Sequence, residues 1–164
     1  MLNRKRWGVT LCKIALAGCM APPSDAGQLD RQAVEAEVRE VADQFWDAFS
    51  DGNDGVDRAL AFFEDHPDFS YAAEGASWGS LSGLQDTFRA AFQVVQSQDI
   101  EIQETVIAVL DQNAAYLMQR GTYSITDVDG MTSEKRPFAF SGLLVRTGSG
   151  WKFRGAHESE PGMG

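Results

Sequence analysis

The sequence predicts an α+β domain in which three helices pack on one face of a strongly curved, mainly antiparallel sheet. Three observations carry this expectation. Apolar residues recur at the 3.6-residue period of a helix as far as about residue 96, the period changes to two beyond Asp99, and strings of turn formers separate the runs. Residues 31–50 make the first helix, with Val34, Val38, Val41, Phe45 and Phe49 on one face and Glu35, Glu37, Glu40, Asp43 and Asp47 on the other. The string Ser50-Asp51-Gly52-Asn53-Asp54-Gly55 breaks it. A shorter helix carrying Leu60 and Phe63 follows and runs to His66-Pro67, where proline restricts its predecessor; His66 reads as a loop residue. The third helix opens at Ser80, whose hydroxyl suits an N-cap, carries Leu81, Leu84, Phe88, Ala91 or Phe92, and Val95, and ends near residues 96–98. Four strands then occupy residues 100–110, 114–126, 138–146 and 151–159. Asp111-Gln112-Asn113, Asp127-Val128-Asp129-Gly130 and Thr147-Gly148-Ser149-Gly150 are the turns between them.

Composition bounds the function. The 164 residues are 43% hydrophobic, enough for one core without disulfide or metal. With 14 Lys plus Arg against 24 Asp plus Glu the net charge is −10, and the one run of several cations is Arg4-Lys5-Arg6, so no nucleic-acid partner is expected. No His, Cys and carboxylate set has metal-ligand spacing, and no phosphate loop, nucleophile elbow or pair of catalytic carboxylates stands out, so neither metal nor cofactor is expected.

The N-terminus reads as an address. Asn3-Arg4-Lys5-Arg6 is followed by the mostly apolar stretch Trp7 to Leu16, interrupted by Lys13, and then by Leu16-Ala17-Gly18-Cys19. The last four residues resemble the lipobox of bacterial lipoproteins. That resemblance implies a signal peptide at residues 1–18, cleavage before Cys19 and a diacylglycerol on its thiol. The protein would then be an exported cell-envelope lipoprotein, facing the periplasm or sited at the outer membrane where the host has two membranes, an address that Met20 after the cysteine resembles. Loss of residues 1–18 removes four cations and no anion, leaving 10 against 24, a charge of −14. Residues 19–30, with Ala21-Pro22-Pro23-Ser24, read as a flexible tether, 31–160 as the domain and 161–164 as a disordered tail. No later run approaches the roughly 20 apolar residues of a membrane helix, so membrane contact is expected through the lipid alone.

Several short motifs occur in a telling order. Phe45-Trp46-Asp47-Ala48-Phe49-Ser50-Asp51-Gly52-Asn53 closes the first helix, Trp78-Gly79 precedes the third, Asp111-Gln112-Asn113-Ala114-Ala115 sits at a strand turn, and Gly150-Trp151-Lys152-Phe153 leads to His157-Glu158-Ser159. Together they resemble the nuclear transport factor 2-like superfamily, and within it the SnoaL-like proteins, over about residues 31–160. The resemblance implies a cone, a bent sheet wrapped around helices with an apolar pocket at its wide end, and a homodimer formed through the sheet. Isomerases, dehydratases, cyclases, epoxide hydrolases and binding modules share that cone, so the fold leaves the chemistry open. Where the ketosteroid isomerase family has its oxyanion-stabilising tyrosine this chain has Phe45, and the general-base aspartate falls near Tyr71. The epoxide hydrolase set finds Arg120 but no pair of strand aspartates.

Within the final strand, alternation groups Trp151, Phe153, Gly155, His157 and Ser159, which should face the interior, against Lys152, Arg154, Ala156 and Glu158. His157 there could serve as general acid or base with Asp68 or Tyr71, or be a satisfied interior histidine. In the strand at 114–126, Tyr116, Met118, Arg120, Thr122 and Ser124 share one face, and Leu117, Gln119, Gly121, Tyr123 and Ile125 the other; only one can line a pocket. Arg120 pointing inward would hold a carboxylate by two hydrogen bonds; pointing outward it would pair with Glu101, Glu104 or Glu134. Tyr71 and Trp78 bracket the small-residue loop 72–77, where they either clamp a ligand or pack on the first helix through Trp46. The expected pocket is Trp46, Tyr71, Trp78, Tyr116, Arg120, Phe140, Phe153 and His157. The expected function is binding of a small apolar or aromatic molecule without turnover; an acid–base isomerase, dehydratase or cyclase and a structural dimerisation module with a self-filled pocket are the alternatives.

Overall fold

The helical period of residues 31–50 becomes α1 (Arg31–Ser50) in a computed structural model that describes residues 29–160. The expected signal peptide, Cys19, the tail at 161–164 and all of the tether but its last two residues lie outside the described residues. Those two belong to the folded unit: Asp30 caps α1 by accepting from the Ala33 N–H at 3.0 Å, and Leu29 packs against the core. The face carrying Val34, Val38, Ala42, Phe45 and Phe49 is buried.

A 3-10 turn at Gly52–Asp54 leads into α2 (Val56–Leu60). This helix stops earlier than its pattern suggests. Beyond Leu60 the backbone is claimed by a strand edge: the Phe153 N–H donates to the Phe62 carbonyl at 2.8 Å and the Glu64 N–H to the Phe153 carbonyl at 2.9 Å. The expected loop at 72–77 is instead a hairpin of β1 (Ser70–Ala73) and β2 (Ala76–Trp78). Glu74 and Gly75 form its tip with φ of 48° and 82°, the two positive angles of a tight hairpin turn. Ser80 accepts from the Gly83 N–H at 3.3 Å to start α3 (Leu81–Phe92). Val95, expected on that helix, opens β3 (Val95–Asp111), followed by β4 (Ala114–Asp127), β5 (Arg136–Thr147) and β6 (Gly150–Ser159).

The six strands form one sheet in the order β2-β1-β6-β5-β4-β3, antiparallel except where β1 runs parallel to β6. Register shifts bend it around α1. In β3 one falls between Ile102 and Glu104, so the half-buried residues change from Ile100 and Ile102 to Thr105, Ile107 and Val109. At the centre of the core, the Phe45 ring lies 4.9 Å from Phe49, 5.7 Å from Phe63, 5.5 Å from Phe140 and 5.1 Å from Phe153.

Strand β4 passes this bend through a residue without a side chain. A Cβ on Gly121 would stand 2.2 Å from the Glu101 carbonyl oxygen of β3. Gly121→Ala must therefore push the two strands apart, and we expect it to lower stability by about 1–3 kcal/mol, read as an earlier urea midpoint at unchanged slope.

Candidate functional site

The site is decided by one extra residue in β6. Leu143 lies opposite Gly155 while the next residue, Leu144, lies opposite Phe153, so Arg154 has no partner in β5. A bulge of this kind inverts the alternation beyond it. Trp151 and Phe153 are buried on the inner side, but past the bulge Ala156 packs toward the core, Glu158 enters the pocket and His157 is exposed. The expectation that His157 faces the interior, and Glu158 the exterior, is thus corrected.

Two other expected pocket residues lie outside the cone. In β4 the inward face is Ala115, Leu117 and Gln119, all buried, continuing to Tyr123; Tyr116 on the opposite face is 44% exposed. Arg120 shares that outer face and pairs with Glu104 of β3, the cross-strand alternative. Asp68 is exposed beside His66, whose Nδ1 accepts from the Asp68 N–H at 3.1 Å. Asp68, Tyr116, Arg154 and His157 border a shallow groove on the outside of the sheet, whereas Tyr71 is buried inside, so the expected acid–base set is not assembled. Phe153 is fully buried beneath the pocket and contributes no wall.

Trp46, Tyr71, Trp78 and Phe140 do meet around one cavity of about 360 Å³. Helices α1 and α3 supply Phe45, Trp46, Phe49, Phe88 and Phe92; the hairpin supplies Tyr71, Ala73, Glu74, Ala76 and Trp78; the other strands supply Ile100, Tyr123, Phe138, Phe140 and Glu158, and Glu160 follows β6. Both indoles are held from behind. The Trp46 Nε1 donates to Gln119 Oε1 at 2.7 Å, Gln119 in turn donates to Thr105 Oγ1 at 3.1 Å, and the Trp78 Nε1 donates to Thr87 Oγ1 at 3.0 Å. With their N–H groups satisfied, the rings offer the cavity apolar surface.

The charged part of the wall is acidic. The Tyr71 hydroxyl donates to Glu158 Oε2 at 2.9 Å, and the Tyr123 hydroxyl donates to Glu160 Oε1. Arg136 pairs with the second oxygen of Glu160, though not with hydrogen-bond geometry. Burial pushes the Glu158 carboxyl above the ordinary carboxylate range; the Tyr71 hydrogen bond opposes this, and the charges of Glu160 and Glu74 reinforce it. Burial likewise raises the Tyr71 phenol, aided by the charge of Glu158, and raises Tyr123 with help from its bond to Glu160. Such a site can hold an apolar body against the rings and present a carboxyl group to a polar head. Sequence reading missed Glu74, Tyr123, Glu158 and Glu160. Glu74 had a signal, since Glu-Gly between short runs suits a hairpin tip, but the parity of the other two acids depends on a bulge at an arginine. Among the described residues, no group of three or more His, Cys, Asp or Glu side chains could hold a metal ion.

A curved sheet closed over helices around an apolar pocket defines a cone-shaped α+β pocket domain. The chain belongs to the SnoaL-like domain family, whose pattern matches residues 38–163. Solved structures agree in fold. An NTF2-like superfamily protein from Salmonella enterica serovar Typhimurium is 16% identical, with 81% of this chain and 95% of that one covered at a TM-score of 0.65. An NTF2-like family protein from Streptomyces avermitilis is 13% identical, with 79% and 96% covered at a TM-score of 0.66. A ketosteroid isomerase-like protein from Erwinia carotovora atroseptica is 18% identical, with 77% and 95% covered at a TM-score of 0.61. Comparison with curated proteins gives no match.

Glu158 makes the fold sensitive to pH in a defined direction. Its carboxyl titrates higher in the folded chain than the ordinary value of 4.5, so the folded state holds more protons between those two points and stability falls as pH rises through them. Glu158→Gln keeps an acceptor for Tyr71 and removes the buried charge. It should melt higher than the wild type near pH 8, and the advantage should vanish below about pH 4.5, where Glu158 is protonated in both states.

Proposed function

We propose that this protein is an exported, lipid-anchored binding protein that takes a small, mostly apolar molecule into the cone pocket without turning it over. The observation that carries this reading is the cavity itself, about 360 Å³ walled chiefly by aromatic side chains. Its size falls among small-molecule pockets, and it speaks against a pocket filled by the protein's own side chains. The lipobox-like Leu16-Ala17-Gly18-Cys19 supports the anchor. Homodimerisation is part of the proposal: Val106 and Met118 are cross-strand partners that, with Tyr116, leave an exposed apolar patch on the outer face of the sheet, suited to a second copy.

A second reading is favoured by the Tyr71 to Glu158 hydrogen bond. A buried carboxyl with a raised titration point, joined to a phenol, is a proton-transfer pair of the kind an isomerase or dehydratase uses, with Glu158 in the place expected for His157. The ketosteroid isomerase-like neighbour lends that reading its reaction class.

Mass spectrometry of the full chain, expressed in a bacterium and purified gently from membranes, tests the proposal. The intact mass should show loss of residues 1–18 and gain of a diacylglycerol, and the native spectrum a dimer carrying roughly a few hundred daltons of bound molecule per subunit. Ala73→Trp, at the hairpin rim, should keep the fold and lose that extra mass. A wild type that is empty under these conditions, and stays empty when offered apolar small molecules, would overturn the binding reading.

A further inference from the structure

Among the described residues, the pocket lining contains three carboxylates, Glu74, Glu158 and Glu160, and no Lys, Arg or His. Glu160 is partly neutralised from behind by Arg136 of β5, whose guanidinium also lies 5.9 Å from the Tyr123 ring. Among the described residues, Glu158 has no such partner. The groups acting on it are the Tyr71 hydroxyl from β1, Glu74 from the hairpin tip and Glu160 just past the end of β6; Tyr123 of β4 stands nearby, and the described helices add no charged residue to the lining. Its Oε2 accepts from Tyr71, which leaves its second oxygen for a ligand. A buried carboxylate is stable when a countercharge accompanies it, and none comes from the described residues of the lining. The same cavity is walled by Trp46, Tyr71, Trp78 and Tyr123, whose ring faces attract cations.

We propose that the pocket takes an organic amine, a protonated nitrogen carried on an apolar or aromatic body, with the ammonium seated at Glu158 and the body against the aromatic walls. This rests on the binding reading above and adds the ligand class. An ammonium donates to the open oxygen of Glu158 and supplies the countercharge. A carboxylic acid of the same shape meets three carboxylates, and an alcohol gains a hydrogen bond but no charge pairing. Seating the cation holds Glu158 ionised, so the amine should bind with release of a proton wherever the empty site is protonated, and more weakly as pH falls through that titration. Glu160 and Glu74 add to the same preference.

Three probes that share one body separate the cases: 2-(2-naphthyl)ethylamine, 2-(2-naphthyl)ethanol and 2-naphthylacetate, titrated into the full chain by calorimetry. The amine should bind about tenfold or more tightly than the alcohol, and the acid weakest. In Glu158→Gln, which retains an acceptor for Tyr71, the amine's advantage over the alcohol should shrink to the remainder that Glu74, Glu160 and the ring faces supply, and an unchanged near-ultraviolet circular dichroism spectrum shows that the domain is folded. Equal binding of amine and alcohol by the wild type, a preference for the acid, or an amine preference undiminished in Glu158→Gln would overturn the ligand class and leave pocket binding standing. Failure of all three probes to bind would overturn the binding reading for bodies of this size, and the inference with it.

Discussion

A strand that wraps a helix has to bend, and a bend made by inserting one residue turns over every side chain that follows. That constraint shapes this protein. In β6 the inserted residue is Arg154, and its guanidinium grips both oxygens of Glu64, Nε to Oε2 at 2.7 Å and the second nitrogen to Oε1 at 3.1 Å. This fork pins the bulge to the segment that follows α2 and holds Glu64 below the ordinary carboxylate range. Everything chemical about the pocket follows from that position. Before the bulge Trp151 and Phe153 fill the core; after it Glu158 and Glu160 enter the cavity and His157 is left on the outer face.

The helices supply what the bent sheet closes against. Phe45 touches rings from its own helix, from the segment after α2 and from β5 and β6, so one side chain links most of the elements that wall the cone. At the β5–β6 hairpin, Glu37 accepts from the Trp151 Nε1 at 2.8 Å and pairs with Arg146, whose guanidinium lies 4.7 Å over the Trp151 ring; these bonds hold Glu37 below its ordinary range. The tightly packed part of the core therefore lies around Phe45 and Phe153, while space remains between α3, the hairpin and β4, where Trp46 and Trp78 are braced by Gln119 and Thr87 instead of filling the void.

Much of the architecture was legible in the sequence because it rests on local periodicity. The α1 face, the α3 N-cap at Ser80 and the alternation of β4 all follow from spacing that a solvent-exposed helix or strand must obey. Two errors have a common physical cause, since backbone pairing with a distant strand overrode local pattern. The helix expected to include Phe63 ends at Leu60 because β6 takes the backbone bonds, and the loop at 72–77 became a hairpin because β1 found β6 as a parallel partner. The pocket aromatics Trp46, Tyr71, Trp78 and Phe140 were legible as large apolar groups on the elements that wall the cone. Glu158 was not, because an arginine at a bulge carries no signal of the kind a glycine or proline would give. Tyr116 and Arg120 illustrate a third case: alternation divides β4 into two faces but cannot say which one meets the helices.

Which of two neighbouring residues, 157 or 158, faces the cavity decides the chemistry of the site. Residues 28–164 contain no cysteine, so a single cysteine placed at 157 or at 158 reports its own exposure to a water-soluble thiol reagent. The account predicts that a thiol at 157 reacts as a freely exposed one, while a thiol at 158 reacts far more slowly and is protected further when an apolar molecule occupies the pocket. A protected thiol at 157 beside a freely reactive one at 158 would contradict it, returning His157 to the interior and removing Glu158 from the site.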